Sequence, residues 1–179
     1  MDYLNGQIVA VLIINELKGL KIRINKLIEN GYSVFEVTLR TDCAFDAIRK
    51  IKEDFPTVKV GAGTILSEQQ AEQAAYAGAD FGVAPGFNIT VAKKAKSLNL
   101  PFIPGVATPS EIETARENGY KLLKLFPAKV LGGVNYLKAL SGPYKDVKFM
   151  PTGGITQKTA QDYLGLRNVD CIGGTWMNE

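Results

Sequence analysis

The sequence predicts an α/β fold, a (β/α)8 TIM barrel, on three observations. Short apolar segments rich in β-branched residues recur about every twenty to thirty residues, with helical patterns between them. Such strict alternation is typical of parallel strands joined by right-handed crossovers. Eight of these segments favour a barrel over an open doubly wound sheet, and no GxGxxG motif follows the first of them.

The predicted strands span residues 8–14, 34–40, 58–64, 81–85, 102–107, 122–127, 148–152 and 169–175. The helices between them have start and stop signals. Residues 67–70 show the spacing of a capping box, and Gly78 ends that helix. Residues 109–111 open another helix with an early proline, and Gly119 ends it. We expect a single barrel domain over residues 1–179.

The end of the chain departs from a complete barrel. About four residues follow the last predicted strand, so we expect the eighth helix to be missing. Roughly five apolar side chains of the barrel wall would then be uncovered, at about 1.5–3 kcal/mol each before entropy. Either the chain is truncated or a neighbouring subunit covers this strip, and both alternatives stay open.

The composition excludes several classes of function. The chain has no histidine, which removes Ser-His-Asp and Cys-His pairs and every metal site built on imidazole. The two cysteines, Cys43 and Cys171, are far apart and fit a reducing compartment, so we expect a cytoplasmic protein without a metal or a cofactor. A net charge of +3 with scattered lysines argues against nucleic-acid binding. No apolar run approaches the length of about 18 residues that a membrane span needs.

Polar side chains on two predicted strands indicate a reactive centre inside the barrel. Alternation along the second strand puts Glu36, Thr38 and Arg40 on its inner face. Alternation along the sixth strand puts Lys124 on the inner face as well. Even-numbered strands fill the same layers of such a barrel, so we expect Glu36 and Lys124 to face each other across the axis.

The pair of Glu36 and Lys124 has two interpretations. One is a structural ion pair, because unpaired buried charges are costly. The other is a Schiff-base lysine with a carboxylate that transfers protons, since an apolar environment favours the uncharged amine, which is the nucleophile. Lys121 and Lys129 are competitors, but they flank the core of the strand and we expect both in solvent.

Glycine pairs end the seventh and eighth strands, at Gly153-Gly154 and at Gly173-Gly174, and Thr175 follows the second pair. Glycine lets backbone N–H groups approach an anion, and the helix after strand seven would offer its positive end. Loops seven and eight of such barrels commonly hold a phosphate. We therefore expect a phosphate site here, although tight turns also select glycine.

Five segments occur in order along the chain: residues 36–41 (EVTLRT), 60–64 (VGAGT), 104–111 (PGVATPSE), 124–128 (KLFPA) and 151–155 (PTGGI). Together they resemble the 2-keto-3-deoxy-6-phosphogluconate (KDPG) aldolase family, which includes 4-hydroxy-2-oxoglutarate (KHG) aldolases. The resemblance covers nearly the whole chain. It implies a class I, metal-independent aldolase on a (β/α)8 barrel, usually a homotrimer. Such an enzyme cleaves KDPG to pyruvate and glyceraldehyde 3-phosphate, or KHG to pyruvate and glyoxylate.

The resemblance also implies roles for individual residues. Lys124 would be the Schiff-base lysine, and Glu36 would be the general acid/base. The other residues would bind the substrate: Arg40, Thr64 and Thr152 its carboxylate, Phe126 and Pro85 its carbon chain, and Gly153, Gly154, Gly174 and Thr175 its phosphate.

The chain departs from the family pattern at several places. Ala84 replaces the serine that usually precedes Pro85-Gly86, and Thr175 replaces a serine. Most of the N-terminal helix is missing, as is the C-terminal helix. These departures affect stability and assembly more than chemistry.

Other functions stay open at this stage. One is a phosphate-binding isomerase or synthase barrel that forms no imine. A second is a non-catalytic barrel that binds a phosphorylated ligand or a partner protein. A third is an aldolase for 2-keto-3-deoxy-6-phosphogalactonate, because the sequence does not reveal which configuration at C4 of the substrate the site accepts.

Overall fold

Parallel strands alternate with helices along the chain in a computed structural model that describes residues 1–178. Glu179, the last residue of the predicted domain, lies outside the described residues. The strands are β1 (Ile8–Leu12), β2 (Val34–Thr38), β3 (Lys59–Gly63), β4 (Phe81–Val83), β5 (Phe102–Ile103), β6 (Gly105–Val106), β7 (Leu122–Leu125), β8 (Lys148–Pro151) and β9 (Ile172–Gly174). The α-helices are α1 (Leu20–Glu29), α2 (Ala44–Asp54), α3 (Glu68–Tyr76), α4 (Ile89–Ser97), α5 (Pro109–Glu117), α6 (Gly133–Leu140) and α7 (Ala160–Leu164). Short 3-10 helices cover Asp2–Leu4 and Trp176–Asn178.

The strands form two parallel sheets that meet at two seams. One sheet has the order β5-β4-β3-β2-β1-β9, and the other has the order β6-β7-β8. Only Pro104 separates β5 from β6. At the other seam, Phe149 of β8 bridges to Val169, which precedes β9, and Thr152, which follows β8, bridges to Gly173 of β9. The predicted α/β class with parallel strands is confirmed.

Every predicted strand extends beyond the observed one, and two of these differences matter for the site. The predicted strand at 102–107 is two strands, because Pro104 has no N–H and cannot continue the ladder. The predicted strand at 34–40 ends at Thr38, because Leu39 and Arg40 form a bend. Regular side-chain alternation therefore stops two residues earlier than expected.

The predicted helix caps are present. The hydroxyl of Ser67 accepts a hydrogen bond from the N–H of Gln70, while the Gln70 side chain accepts from Leu66 rather than from Ser67. Thr108 and Glu111 form a complete capping box at the start of α5. These caps satisfy N–H groups that the first helical turn leaves without partners.

Alternate residues of β2 pack on opposite faces of the sheet. Phe35 and Val37 belong to the same buried cluster as helix residues such as Ile24 and Ile48, in the layer between strands and helices. Val34 belongs to a different cluster, on the inner face. That inner cluster also contains Leu4, Val9, Phe81, Val83, Ile103, Met150 and Cys171. The inner faces of both sheets thus contribute to one apolar cluster. The buried polar side chains of Glu36 on β2 and Lys124 on β7 lie on the same inner faces, next to this cluster.

The expected uncovered strip of apolar side chains is absent from β1 and β9 in the described chain. Ala10, Leu12 and Ile172, which point away from the inner cluster, are all fully buried. The 3-10 helix after β9 contributes to this cover, because Met177 and Trp176 pack against the two outer clusters. The prediction of about five exposed wall side chains is therefore wrong. No helix among residues 1–178 is long and apolar enough to span a membrane.

Candidate active site

Lys124 and Glu36 form a buried ion pair on the inner faces of β7 and β2. The Nζ atom of Lys124 donates a hydrogen bond to Oε1 of Glu36 over 3.1 Å, although the residues are 88 positions apart in the chain. The side chains are only 6% and 1% exposed. The predicted meeting of these two residues is confirmed, and the competing side chains of Lys121 and Lys129 are exposed as expected.

One carboxylate oxygen of Glu36 is left without a partner. Oε2 is buried, and no described residue donates a hydrogen bond to it. The neighbouring hydroxyl of Thr38 donates instead to the carbonyl of Leu12 at 3.2 Å. Because buried polar atoms are nearly always hydrogen-bonded, Oε2 is an acceptor suited to a substrate hydroxyl or a water.

Glycines on β3 make room for the Glu36 side chain. Thr38 of β2 lies beside Gly63 of β3, and Glu36 lies beside Gly61. A Cβ built on Gly63 would overlap the Glu36 carboxylate. The sequence signal for this close approach is the pair of alternate glycines, Gly61 and Gly63, on the strand beside Glu36.

An aromatic ring and a proline flank the lysine. Nζ of Lys124 lies 5.7 Å from the centre of the Phe126 ring, and both residues are on the same side of the strand. Gly105, the strand neighbour of Lys124, allows the loop after β4 to approach, because a Cβ there would overlap the backbone of Pro85. Phe126 and Pro85 are both half-buried.

Two hydroxyl residues of the predicted site, Thr152 and Thr64, lie at the carboxyl ends of β8 and β3. Thr152 directly follows β8 and is buried, and its Oγ1 makes only a long contact of 3.5 Å to the carbonyl of Met150. Thr64 directly follows β3 and has a φ of 64°, a left-handed conformation that is uncommon for a β-branched residue. Such strain is often found at functional sites.

Arg40 differs from its predicted position. It lies in the bend after β2 and is exposed, so the expectation that its side chain shares the inner face with Glu36 is wrong. The cause is the early end of the strand at Thr38. Arg40 still lies near the mouth, because the N–H of Leu39 donates to the carbonyl of Gly63, next to Thr64.

The two glycine-rich loops lie side by side. The bridge from Thr152 to Gly173 brings Gly153-Gly154 next to Gly174-Thr175. Both Gly153 and Gly154 have positive φ angles, 102° and 76°, which side chains rarely adopt. Gly154 and Thr175 are exposed, whereas Gly174 is buried under the Trp176 ring.

The helix expected to point its positive end at this loop is farther away than predicted. α7 begins at Ala160, six residues after Gly154, and spans only five residues. Its first turn is preceded by a local turn in which Thr159 contacts Thr156. The expectation of a helix N-terminus directly behind the glycine pair is therefore wrong.

The negative charge of Glu36 acts on the base of the site. Cys171 belongs to the inner cluster and is unpaired. Burial raises the pKa of the Cys171 thiol well above its ordinary range, and the charges of Asp170 and Glu36 add to this effect. The thiol is thus held in its neutral form.

The comparisons with known proteins agree with this geometry. The sequence profile described as "Aldolase: KDPG and KHG aldolase" matches residues 3–179. The KHG/KDPG aldolase of Escherichia coli (strain K12) is 43% identical over 172 residues, which are 96% of this chain and 81% of the relative.

Solved structures match over almost the whole fold. A KDPG aldolase from Legionella pneumophila, with pyruvate captured as a covalent carbinolamine intermediate, has a TM-score of 0.93 at 38% identity and covers 98% of this chain and 85% of its own. The KDPG aldolase of Zymomonas mobilis ZM4 with 3-phosphoglycerate has a TM-score of 0.92 at 37% identity and covers 98% of this chain and 83% of its own. The chain belongs to the KDPG and KHG aldolase family of class I, metal-independent lyases.

Proposed function

We propose that this chain cleaves KDPG to pyruvate and glyceraldehyde 3-phosphate, with Lys124 as the Schiff-base lysine and Glu36 as the proton carrier. The observation that supports these roles most strongly is the buried 3.1 Å contact between the two side chains. The Legionella relative holds pyruvate as a carbinolamine. A carbinolamine is the adduct that an amine forms with a ketone before water is lost, so a lysine with an adjacent proton carrier suits this chemistry.

The reaction begins with attack of the Lys124 amine on the C2 ketone of the substrate. As the N–C bond forms, the carbonyl oxygen takes up a proton and gives the carbinolamine. Loss of water then gives an iminium. Glu36 is within hydrogen-bond reach of Nζ, so its carboxylate can accept the proton that leaves the lysine and return it to the departing hydroxyl.

The iminium is the electron sink for breaking the C3–C4 bond. The electron pair of that bond moves toward the iminium nitrogen and leaves an enamine, while the C4 hydroxyl becomes the aldehyde. The unpartnered Oε2 of Glu36 is the acceptor for the C4 hydroxyl proton, directly or through one water. The enamine then takes a proton at C3, and hydrolysis of the resulting iminium releases pyruvate and regenerates Lys124.

The substrate carboxylate is held at the mouth of the site. Thr152 and Thr64 supply hydroxyl donors at the ends of β8 and β3, and Arg40 supplies a guanidinium from the solvent side. Phe126 and Pro85 pack against the carbon chain. Positioned donors of this kind hold the carbonyl in line with the amine.

The phosphate binds at the paired loops of Gly153, Gly154, Gly174 and Thr175. Of these residues, Gly154 and Thr175 are exposed, so the Gly154 N–H and the Thr175 hydroxyl are the most accessible donors for its oxygens, and a Cβ at Gly153 or Gly154 would disturb the loop. The Zymomonas relative was solved with a phosphorylated three-carbon acid, which resembles the phosphorylated half of KDPG.

Cleavage of KHG to pyruvate and glyoxylate is a second candidate activity. The name of the Escherichia coli relative includes this reaction. The imine chemistry at Lys124 is identical for both substrates, and only the group beyond C4 differs. Relative rates therefore depend on the phosphate loops rather than on the lysine.

The assembly and architecture complete the proposal. The two sheets together form one closed (β/α)8 barrel domain, which the two seams at Pro104 and between β8 and β9 support. The homotrimer rests on the family resemblance, and the cytoplasmic location rests on the reducing compartment that two unpaired cysteines fit. No nucleic acid, cofactor or metal takes part in the proposed reaction.

Steady-state cleavage assays test the proposed function. Pyruvate release would be measured on KDPG, KHG and the galactonate isomer of KDPG. We expect KDPG to be cleaved with the highest kcat/KM. Lys124→Arg should abolish cleavage because a guanidinium forms no imine, while Lys121→Arg on the exposed side chain of Lys121 should not change it. Full activity of Lys124→Arg would refute the assignment of Lys124.

A further inference from the structure

The exposed residue Lys129 has a backbone that is fixed against the phosphate loop. Its N–H donates to the carbonyl of Gly153 at 3.0 Å, and its own carbonyl accepts from the N–H of Gly132 at 3.2 Å. The preceding residue, Ala128, donates to the carbonyl of Thr152 at 2.8 Å. The loop between β7 and α6 is therefore held beside the loop that follows β8.

The side chain of Lys129 lies along Gly154. A Cβ built on Gly154 would be 2.7 Å from Cβ of Lys129, 2.9 Å from Cδ and 3.3 Å from Cγ. Cβ, Cγ and Cδ of Lys129 thus pack against the side of Gly154 where any other residue would carry its Cβ. The ammonium group is only two bonds beyond Cδ, so it stays close to the exposed Gly154.

The charge of Lys129 has no acidic counterpart in the part of the chain that the structure describes. Lys52, Lys59 and Lys94 each contact a carboxylate within 4 Å, but Lys129 forms no such ion pair among residues 1–178. A phosphate bound by Gly153 and Gly154 through backbone N–H groups alone would have no formal positive charge beside it. An ammonium on the same loop provides one.

We infer that Lys129 is the cationic partner of the substrate phosphate and a specificity-determining residue for phosphorylated substrates. This inference rests on the proposed function for the position of the phosphate, but not for the imine chemistry. Gly154 has to be glycine for two reasons: its φ of 76° and the lysine stem that occupies its open face. Sequence reasoning placed Lys129 in solvent only because it lies beyond the end of β7.

The test compares KDPG with 2-keto-3-deoxygluconate, the same molecule without its phosphate. The preference ratio is kcat/KM for KDPG divided by kcat/KM for 2-keto-3-deoxygluconate. It should fall about fivefold to tenfold in Lys129→Ala, the loss typical of one partly exposed charge-assisted contact. The matched control is Lys145→Ala, which removes an exposed lysine before β8, at the opposite ends of the strands, and should leave the ratio unchanged. An unchanged ratio in Lys129→Ala, or an equal fall in both variants, would overturn the inference.

A binding measurement separates this inference from the aldolase reaction. Calorimetry with 3-phosphoglycerate should show a Kd about fivefold to tenfold higher in Lys129→Ala than in the wild type or in Lys145→Ala. Lys129→Arg keeps the charge and should restore most of the affinity, so an arginine variant as weak as the alanine variant would contradict the inference. Because this assay needs no turnover, failure of the imine chemistry would refute the proposed function and leave the result for Lys129 standing.

Discussion

The carboxylate of Glu36 occupies the space that a side chain on Gly63 would fill. Glu36 pairs with Gly61, two register positions before Gly63 on the ladder of β2 and β3, and its side chain leans over Gly63 toward the carboxyl ends of the strands. This lean brings Oε1 to Lys124. The glycine is therefore part of the geometry that places the proton carrier beside the amine.

Gly63→Ala should displace the Glu36 carboxylate and impair catalysis. The new methyl group would overlap the carboxylate, and overpacking of this kind costs about 1–3 kcal/mol. We expect a lower melting temperature and a fall in kcat, since misplaced proton carriers cost about 100-fold per ångström. The control is Gly142→Ala, where a methyl group would be 3.6 Å from the nearest atom, an ordinary contact. Wild-type kcat in Gly63→Ala would show that the position of Glu36 does not depend on Gly63.

Glu36→Gln tests the proton-carrier role separately from imine formation. The amide keeps the size and hydrogen-bonding capacity of the side chain but cannot take up a proton at neutral pH. Loss of a general acid/base typically lowers turnover by about 10²–10⁴ fold, so we expect a fall in kcat of that order, with trapping of the imine still detectable. Glu117→Gln, on the exposed face of α5, is the matched control. Normal turnover in Glu36→Gln would remove the assigned role.

Asp80 should make the stability of the fold depend on pH. Its carboxylate accepts from Nζ of Lys52 at 2.7 Å, from the N–H of Val60 at 2.8 Å and from Nζ of Lys59 at 3.2 Å. Burial alone would raise the pKa of Asp80, but these three hydrogen bonds outweigh it and lower the pKa below its ordinary value. The contribution to stability is therefore present above the ordinary carboxyl pKa of about 3.9 and is lost as the pH falls through the folded-state pKa.

Asp80→Asn measures that contribution. We expect the variant to be less stable than the wild type at pH 7 by about 1–2 kcal/mol, since it loses charge-assisted hydrogen bonds. The difference in the free energy of unfolding should shrink below about pH 4. The exposed residue Asp42, which forms no ion pair with any described residue, provides the control Asp42→Asn. A difference that does not change with pH would contradict this explanation.

The sequence predicted the catalytic pair because strand alternation is regular where both faces are buried. Glu36 and Lys124 each lie between apolar neighbours in their strands. Because successive side chains of a strand point to opposite faces, this pattern predicts that both residues lie on the inner face. Arg40 was misplaced because nothing in the residues 34–40 marks the end of the strand at Thr38. Strand ends depend on tertiary contacts, which local pattern does not encode.

The roles of Gly63 and Lys129 could not be predicted for a different reason. Each depends on a neighbour from another part of the chain: Gly63 on Glu36, and Lys129 on Gly154. A glycine in a strand signals a close approach without naming the group that approaches. The split at Pro104 was readable in principle, because proline cannot donate in a ladder.

Reduction with borohydride in the presence of pyruvate tests most directly whether Lys124 is the imine-forming residue. Hydride converts an iminium into a stable amine, so a three-carbon acid should remain covalently attached, and mass mapping of peptides should place it on Lys124. Lys124→Arg should show no adduct. An adduct on Lys121 or Lys129 instead, or an active enzyme that traps nothing, would contradict the assignment of Lys124.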